Sequence, residues 1–322
     1  MTRRPVIYFV GGLLAVGLLQ ATPSGQAGQA GPAPGETLSQ SYRGSQSQNW
    51  EYQKVAPIKV FDNLYYVGPG GVSVWLISTS DGLIVVDGTQ EPLVDHVLDS
   101  IRKVGFNPRD IRYILITHGH LDHFGGVGKI RAAAAPNVRV ATLAEDWDLI
   151  EKFYADAAAG RGRGNRDPGV ALKRDMVITD GQTLTLGNTS LKVYKLPGHT
   201  PGSPSFEFTV YDNGTPHKAF LFGGPGQRGG VEGGTEFLNS IRRIKKELSD
   251  VAVPVHVHSW LTTYPDPRGG TVFEPAMQLA KRQPGQPHPF VINALWRKWL
   301  DTAEAGTIKY IEEAKKTAPA SN

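Results

Sequence analysis

The chain has 322 residues, of which 40% are hydrophobic and none is cysteine. These values are ordinary for a globular protein with one large domain or two modest ones. Without cysteine the chain cannot form a disulfide, a thiolate metal site or a cysteine nucleophile. The formal charge of +4 includes Arg3 and Arg4 of an N-terminal leader. The remainder is therefore close to balanced, and the charge gives no argument for nucleic-acid binding.

The N-terminus has the pattern of a secretory signal. A basic start precedes an apolar run that is shorter than the roughly 20 residues of a membrane span, and small residues follow. We predict a signal peptide over 1–27, with cleavage at Ala27 favoured over Ala21 or Ala30; a retained N-terminal anchor is the alternative. Residues 28–48 are rich in Gly, Pro, Ser and Gln, which predicts a flexible linker. The expected location is periplasmic or secreted, with no stable membrane insertion after cleavage.

Strand and helix patterns mix along residues 49–322 without a Pro- or Ser-rich break, which predicts one α/β domain. In chain order, the main predicted elements are strands at "LYYVGPGGVSVWLIST" and "GLIVVDG", a helix at "EPLVDHVLDSIRKVG", a strand at "IRYILIT", a helix at "FGGVGKIRAAAA", a strand at "RVATL", a helix at "AEDWDLIEKFYADAAAG", a helix at "TEFLNSIRRIKKELSD" and a strand at "VAVPVHVH". Asn213-Gly214 predicts a β-hairpin turn, and residues 274–316 are expected to be mainly helical.

Four potential metal ligands fall within six residues of "THGHLDHFGG", at the end of a predicted buried strand. In an extended "HGH" segment His118 and His120 point to the same side. Asp122 and His123 are adjacent and diverge, so they can address a second metal. Imidazole and carboxylate groups are zinc ligands. The segment therefore predicts the beginning of a two-metal site.

Two later strands also end in histidine. His199 lies in "LPGHTPGS", and "VHVH" offers His256 and His258. Strand ends of this kind can converge on one edge of an α/β sheet, where ligand sites form. In an extended strand His256 and His258 point the same way, so alternation does not decide between them. We favour His258, since it lies nearer the strand end.

The stretch 144–168 allows two interpretations. It is either a lid over the site, with Arg161 or Arg163 reaching an anionic substrate, or a plain solvated loop.

These motifs resemble those of the metallo-β-lactamase superfamily. "THGHLDHFGG" is similar to its His-X-His-X-Asp-His signature, and "LPGHTPGS" is similar to its second histidine motif. "GLIVVDG" resembles its early strand ending in aspartate, here Asp87. The resemblance covers about residues 57–260. It implies an α/β (α+β) fold, a four-layer αββα sandwich with the metals at one sheet edge.

The resemblance also implies two Zn²⁺ ions per chain. The implied ligands are His118, His120 and His199 for the first ion, and Asp122, His123 and His258 for the second. Asp87 is expected to orient one of these ligands. Gly224 and Pro225 stand where many members carry a metal-bridging aspartate. Their presence weakens the similarity to glyoxalase II-like thioesterases and strengthens that to the third, histidine-rich subclass of metallo-β-lactamases.

The function implied is that of an exported zinc hydrolase with a small-molecule substrate. A metal-bound hydroxide, oriented by the catalytic residue Asp122, would open a β-lactam ring. A zinc hydrolase of another ester, lactone or thioester is the alternative, because this fold supports many chemistries. A catalytically inactive zinc-binding protein is a third interpretation. The sequence does not indicate the oligomeric state.

Overall fold

The computed structural model describes residues 31–161, 169–261 and 270–317. The predicted signal peptide and Arg163 lie outside these residues. Within them the strands form two sheets, of seven and five strands.

The first sheet keeps its strands in chain order. They are β1 (Ile58–Lys59), β2 (Leu64–Tyr66), β3 (Trp75–Thr79), β4 (Gly82–Val86), β5 (Ile111–Leu115), β6 (Arg139–Thr142) and β7 (Met176–Val177). The pairings from β1 to β4 are antiparallel, and those from β4 to β7 are parallel. β5 is short, β-branched and paired on both sides, as expected of a strand inside a parallel sheet.

The second sheet has the order β12-β11-β10-β9-β8. Its strands are β8 (Thr183–Leu186), β9 (Thr189–Lys195), β10 (Pro204–Asp212), β11 (Thr215–Phe222) and β12 (Val253–His256). The predicted hairpin joins β10 to β11: Asn213 has φ +49° and Gly214 φ +79°, the left-handed pair that a two-residue turn requires.

Helices cover the outer faces of both sheets, and three short helices, two before the first strand and one after the last, pack against the apolar layer between the sheets. The helices are α1 (Leu38–Arg43), α2 (Trp50–Gln53), α3 (Val94–Lys103), α4 (Leu121–Phe124), α5 (Val127–Ala133), α6 (Ala144–Ala158), α7 (Gly230–Glu247), α8 (Phe273–Leu279) and α9 (Asn293–Thr317). The last two confirm the helical tail.

Three apolar clusters fill the spaces between four layers. One lies between the two sheets and includes Leu115 and Phe206. A second packs the first sheet against α3, α5 and α6, around Trp147. The third packs the second sheet against α7 and α9, around Phe222 and Trp299. The predicted αββα sandwich is therefore confirmed.

The flexible linker predicted over 28–48 is wrong at its C-terminal end, because α1 lies there and is docked on the domain. Thr37 caps α1, and Gln40 completes a capping box. The backbone N–H of Ser39 donates to buried Glu274 on α8 (2.9 Å), and Tyr42 packs on Phe273 with ring centroids 4.8 Å apart. Composition suggested a linker, but the Thr-X-X-Gln capping pattern was a signal for the helix.

The stretch considered as a lid is mostly helix α6. Its Trp147 and Ile150 are fully buried in the outer layer, and Arg161 pairs with Asp156 at 3.1 Å. This helix is thus part of the wall of the domain. No helix within the described ranges has the length and apolar character needed to cross a membrane.

Candidate metal centre

One group of donors, here called the histidine trio, consists of His118, His120 and His199. His118 and His120 follow β5, and His199 follows β9, so both sheets contribute. Ring centroids are 4.6 to 4.9 Å apart in the three pairs. One nitrogen from each ring lies within 4.8 Å of the others. This spacing suits a single ion bound by three imidazoles.

The second group, here called the mixed trio, consists of Asp122, His123 and His258. Asp122 and His123 lie in the first turn of α4. His258 lies two residues beyond β12 and forms a β-bridge with Val72. The three donor atoms again lie within 4.8 Å of one another. All six side chains in the predicted ligand set thus fall into the two groups that the sequence analysis expected.

The structure also separates His258 from His256. His256 is the last residue of β12, is 2% exposed, and its ring lies 6.3 Å from that of Trp299 in the helix-facing core. The strand ends at that point, and the chain beyond it delivers His258 to the mixed trio. His288 is also remote from the two trios: it is buried and stacks on Phe61 with ring centroids 4.1 Å apart.

Backbone carbonyls fix the orientation of two rings in the histidine trio. Nδ1–H of His118 donates to the carbonyl oxygen of Gly223 (2.8 Å), and Nδ1–H of His199 to that of Gly226 (2.9 Å). A donor bond at Nδ1 leaves the lone pair at Nε2, the arrangement typical of metal-ligating histidines. Nε2 of His118 is buried and makes no hydrogen bond. An orphaned buried nitrogen of this kind fits a metal ligand.

Asp87 fixes the orientation of the His123 ring in the mixed trio. Its carboxylate accepts from Nδ1–H of His123 (2.7 Å) and from the backbone N–H of Thr117 (2.8 Å). The Thr117 hydroxyl donates to the same carboxylate. Nε2 of His123 is likewise buried without a hydrogen bond. The predicted role of Asp87 in orienting a ligand agrees with these contacts.

Burial keeps most of the imidazoles neutral. It lowers the pKa of His120 to about 4, with Arg228 adding to the effect, and that of His199 to about 3. Burial also lowers the pKa of His118 and His258 well below its usual value. Neutral imidazoles are the form that binds a cation.

Asp122 and His123 behave as a charged pair. Burial alone would raise the pKa of Asp122, but His123 holds it well below its usual range. Burial opposes charge on His123, yet Asp122 and Asp87 raise its pKa to about 9. The mixed trio therefore presents a carboxylate, and its positive charge is a proton on His123 that a metal ion would replace.

No side chain fits at Gly224, where the resemblance would place a bridging acid. A Cβ there would lie 2.9 Å from Cβ of His199 and 2.5 Å from Oγ of Ser203. The backbone at this point lies directly against the loop that carries His199. The two trios are therefore built without an acidic residue at this position.

A cavity of about 710 Å³ borders the centre at Asp122. Its walls come from the N-terminal segment, including Tyr42, Arg43 and Trp50, and from a loop that includes Leu93. Nη1 of Arg43 lies 2.8 Å from Nδ1 of His258, which also lies 3.2 Å from the carbonyl oxygen of Gly71. Arg43 was not among the predicted site residues, because the composition of residues 28–48 indicated a flexible linker.

Comparison with known proteins agrees with this geometry. Residues 67–212 match the model of the metallo-β-lactamase superfamily. This chain carries a metallo-β-lactamase superfamily domain. The matched range contains five of the six residues in the two trios; His258 follows it.

The metallo-β-lactamase domain is also similar to a curated lactonase. It is 30% identical over 112 residues to the N-acyl homoserine lactonase AttM of Agrobacterium fabrum (strain C58 / ATCC 33970). The alignment covers 34% of this chain and 40% of the lactonase. The chain thus matches well under half the length of that relative.

Solved metallo-β-lactamases match the fold over most of their length. BJP-1, a subclass B3 metallo-β-lactamase of Bradyrhizobium japonicum, is 26% identical with a TM-score of 0.68, covering 84% of this chain and 98% of BJP-1. Native FEZ-1 from Legionella gormanii has the same TM-score at 22% identity, with 82% and 97% covered. The expected metallo-β-lactamase fold is confirmed by these matches.

Proposed function

We propose that this protein is an exported, zinc-dependent hydrolase that opens β-lactam rings. The observation that carries the proposal is the pairing of a histidine trio with a mixed trio around a position, Gly224, that excludes a bridging acid. The similarity to BJP-1 over 98% of its length supports the same substrate class.

The donor set fits zinc. Five imidazoles and one carboxylate are nitrogen and oxygen ligands of the kind that Zn²⁺ prefers, and no thiolate is required. The histidine trio would hold one ion and the mixed trio the other. When bound, the metal pair supplies a water of lowered pKa and polarises the scissile carbonyl.

Asp122 is the catalytic residue of the proposal. Its side chain is 35% exposed and borders the cavity, so one carboxylate oxygen can accept a proton from the attacking water. The oxygen of that water forms a bond to the carbonyl carbon, the C–N bond of the lactam breaks, and the proton passes to the leaving nitrogen. No residue of the chain becomes covalently attached to the substrate.

Arg43 gives the cavity a cation for a substrate carboxylate. Its guanidinium contacts His258 of the mixed trio, and the negative charge of Asp122 acts on it from the same side of the centre. A charged hydrogen bond at this point would orient the lactam ring over Asp122. The remaining walls of the cavity accommodate the rest of the substrate.

Export is proposed from the leader alone. Its basic start, short apolar run and small residues have the pattern of a cleaved secretory signal. Intact-mass analysis of protein recovered from a periplasmic fraction tests this. A species lacking residues 1–27 is expected, whereas a full-length species in the cytoplasm would contradict the proposal.

A lactone is the second candidate substrate. The 30% identity to the lactonase AttM favours it, although the alignment covers 40% of that protein. Hydrolysis of a lactone forms the same tetrahedral centre, with an alkoxide as leaving group. The remaining alternatives are hydrolysis of a thioester and zinc binding without catalysis.

The deciding experiment compares substrates on one preparation. Purified protein is loaded with zinc, its metal content is counted, and hydrolysis is measured with a chromogenic cephalosporin, an N-acyl homoserine lactone and an acyl thioester. Asp122→Ala and exposed Asp81→Ala serve as active-site and surface variants. Cephalosporin turnover that chelator and Asp122→Ala both abolish is expected. Turnover of lactone alone would replace the β-lactam proposal, and two bound zinc ions without turnover of any substrate would contradict catalysis.

A further inference from the structure

Asp146 is a buried carboxylate that belongs to neither trio. It lies in the first turn of α6 and has no exposed surface. Its Oδ1 accepts the backbone N–H of Gly119 (2.9 Å), and its Oδ2 accepts that of Ser203 (2.8 Å). One side chain therefore bridges two loops that are distant in the sequence.

These two loops carry all three members of the histidine trio. Gly119 lies between His118 and His120. Ser203 closes the turn that begins at His199, since its hydroxyl accepts the backbone N–H of Thr200 at 3.0 Å. The structure shows no hydrogen bond from Asp146 to the mixed trio. The contacts of this carboxylate are thus specific to one half of the centre.

Glycines make the close approach possible. A Cβ on Gly202 would lie 2.1 Å from Oδ2 of Asp146, and one on Gly119 would lie 2.7 Å from Cβ of Leu149 on α6. Both distances are shorter than real contacts allow. Helix α6 therefore fits against the two loops only because these positions lack side chains.

The burial of Asp146 has a free-energy cost. Burial raises its pKa to about 6, against the lowering effect of hydrogen bonds from Thr200, Gly119 and Ser203. A buried carboxylate is retained only where its hydrogen bonds compensate for lost hydration. Here both carboxylate oxygens of Asp146 accept hydrogen bonds, each from a different loop that carries members of the histidine trio.

We propose that Asp146 is a positioning residue that fixes the spacing of the histidine trio and so sets the metal affinity of that half of the centre alone. The inference rests on the proposed metal-dependent function. Asp87 serves the mixed trio, and Asp146 serves the histidine trio. The two halves of the centre would then respond independently to loss of their supporting carboxylates.

The test is a zinc titration of Asp146→Asn against a competing chelator, with metal counted after dialysis. Asparagine keeps the shape but turns an NH₂ group toward one of the two N–H donors. We expect wild type to retain two ions and Asp146→Asn to retain one, with a roughly 10- to 100-fold loss of affinity confined to one site. Asp148→Asn, on the same helix but 69% exposed, is the control and should retain two.

A second variant leaves the carboxylate in place. The added Cβ of Gly202→Ala would displace Oδ2 of Asp146, so this variant should also lose zinc affinity at the histidine trio alone. It tests the positioning role of Asp146 if circular dichroism shows that Asp146→Asn is unfolded. Wild-type affinity at both sites in a folded variant, or equal loss at both, would overturn the positioning role. If the wild-type protein binds two ions but hydrolyses no substrate, the proposed function is contradicted and the zinc titration remains a valid test of Asp146. If the wild-type protein binds no ion, the proposed function and the positioning role are both overturned.

Discussion

At the scale of single residues, the metal centre depends on which nitrogen of each imidazole donates a hydrogen bond to the protein and which is left to bind an ion. His118 and His199 donate through Nδ1 to backbone carbonyls, whereas His123 donates to the carboxylate of Asp87. A carbonyl leaves its ring neutral. A carboxylate instead makes the ring more basic, so His123 differs electrostatically from the others.

Replacing Asp87 by Asn should therefore weaken one half of the centre. Asp122 and Asp87 together raise the pKa of His123; the variant removes the second of these charges and weakens the acceptor that fixes the ring. We expect a roughly 10- to 100-fold loss of zinc affinity at the mixed trio, measured by chelator competition. Asp81→Asn, exposed in the β3–β4 turn, is the control. Unchanged binding at both trios would contradict the role assigned to Asp87.

Arg43 should determine binding of the substrate rather than the chemical step. If its guanidinium binds a carboxylate, Arg43→Ala loses a charged hydrogen bond of about 1.5–3 kcal/mol, which corresponds to a roughly 10- to 100-fold rise in KM. The methyl ester of the same cephalosporin should show no such rise, and Arg43→Lys should recover part of the loss. Arg109→Ala, an exposed site distant in sequence, is the control. An equal effect on acid and ester would show that Arg43 acts in another way.

At the scale of elements, helix α1 forms a wall of the cavity only while it is docked. The docking contact is between Ser39 and the buried carboxylate of Glu274, joined by hydrogen bonds from the Ser39 backbone and hydroxyl. Tyr42 adds aromatic packing to the same side of the helix. The position of Arg43 thus depends on α8, an element more than 200 residues away.

Glu274→Ala should loosen α1 without disturbing the metal centre. The backbone N–H of Ser39 loses its acceptor, at a cost of about 1–3 kcal/mol for a buried donor. Hydrogen exchange in a peptide covering 38–43 should accelerate at least roughly ten-fold, and zinc content should stay at two. Glu313→Ala, 61% exposed on α9, should change neither. If the variant loses zinc as well as the protection of α1 amides from hydrogen exchange, α1 supports the metal centre itself.

At the scale of the whole molecule, the buried imidazoles make the stability of the metal-free protein depend on pH. The pKa of His120 and His199 is lowered to about 4 and about 3, so the unfolded chain binds protons more readily below about pH 6.5. Stability then falls as the pH decreases from about 6.5. The pKa of His123 is raised to about 9, so its contribution is lost as the pH rises from about 6.5 to about 9.

The urea midpoint of the metal-free protein is therefore expected to peak near pH 6.5 and to fall on both sides. His123→Gln should remove the alkaline decline and leave the acid one. Measurements between pH 5 and 9 avoid most titration of ordinary carboxylates. The raised pKa of Asp146, about 6, lowers stability as the pH rises towards 6 and so makes the acid decline shallower. A midpoint that is constant over this range, or that only rises with pH, would contradict the charge states assigned to the two trios.

Local patterns predicted much of this molecule. The apolar run of β5, the left-handed turn at Asn213-Gly214 and the cluster from His118 to His123 are each encoded within a few adjacent residues. The docked helix α1 and the carboxylate of Asp146 were not predicted. Their partners, Glu274 for the first and Gly119 and Ser203 for the second, are brought close only by the tertiary fold. The Gly- and Ser-rich composition around α1 is typical of a linker. The burial of its polar residue Ser39 depends on Glu274, which is distant in the sequence.

The division of each trio between the two sheets has a consequence for assembly. His199 reaches the histidine trio from the second sheet, and His258 reaches the mixed trio only after β12, so neither donor set is complete until both sheets have docked. A nascent or partly folded chain therefore offers no finished chelate. Any ion held by all three donors of a trio would therefore also link the two sheets, and its binding free energy would add to the stability of the folded chain.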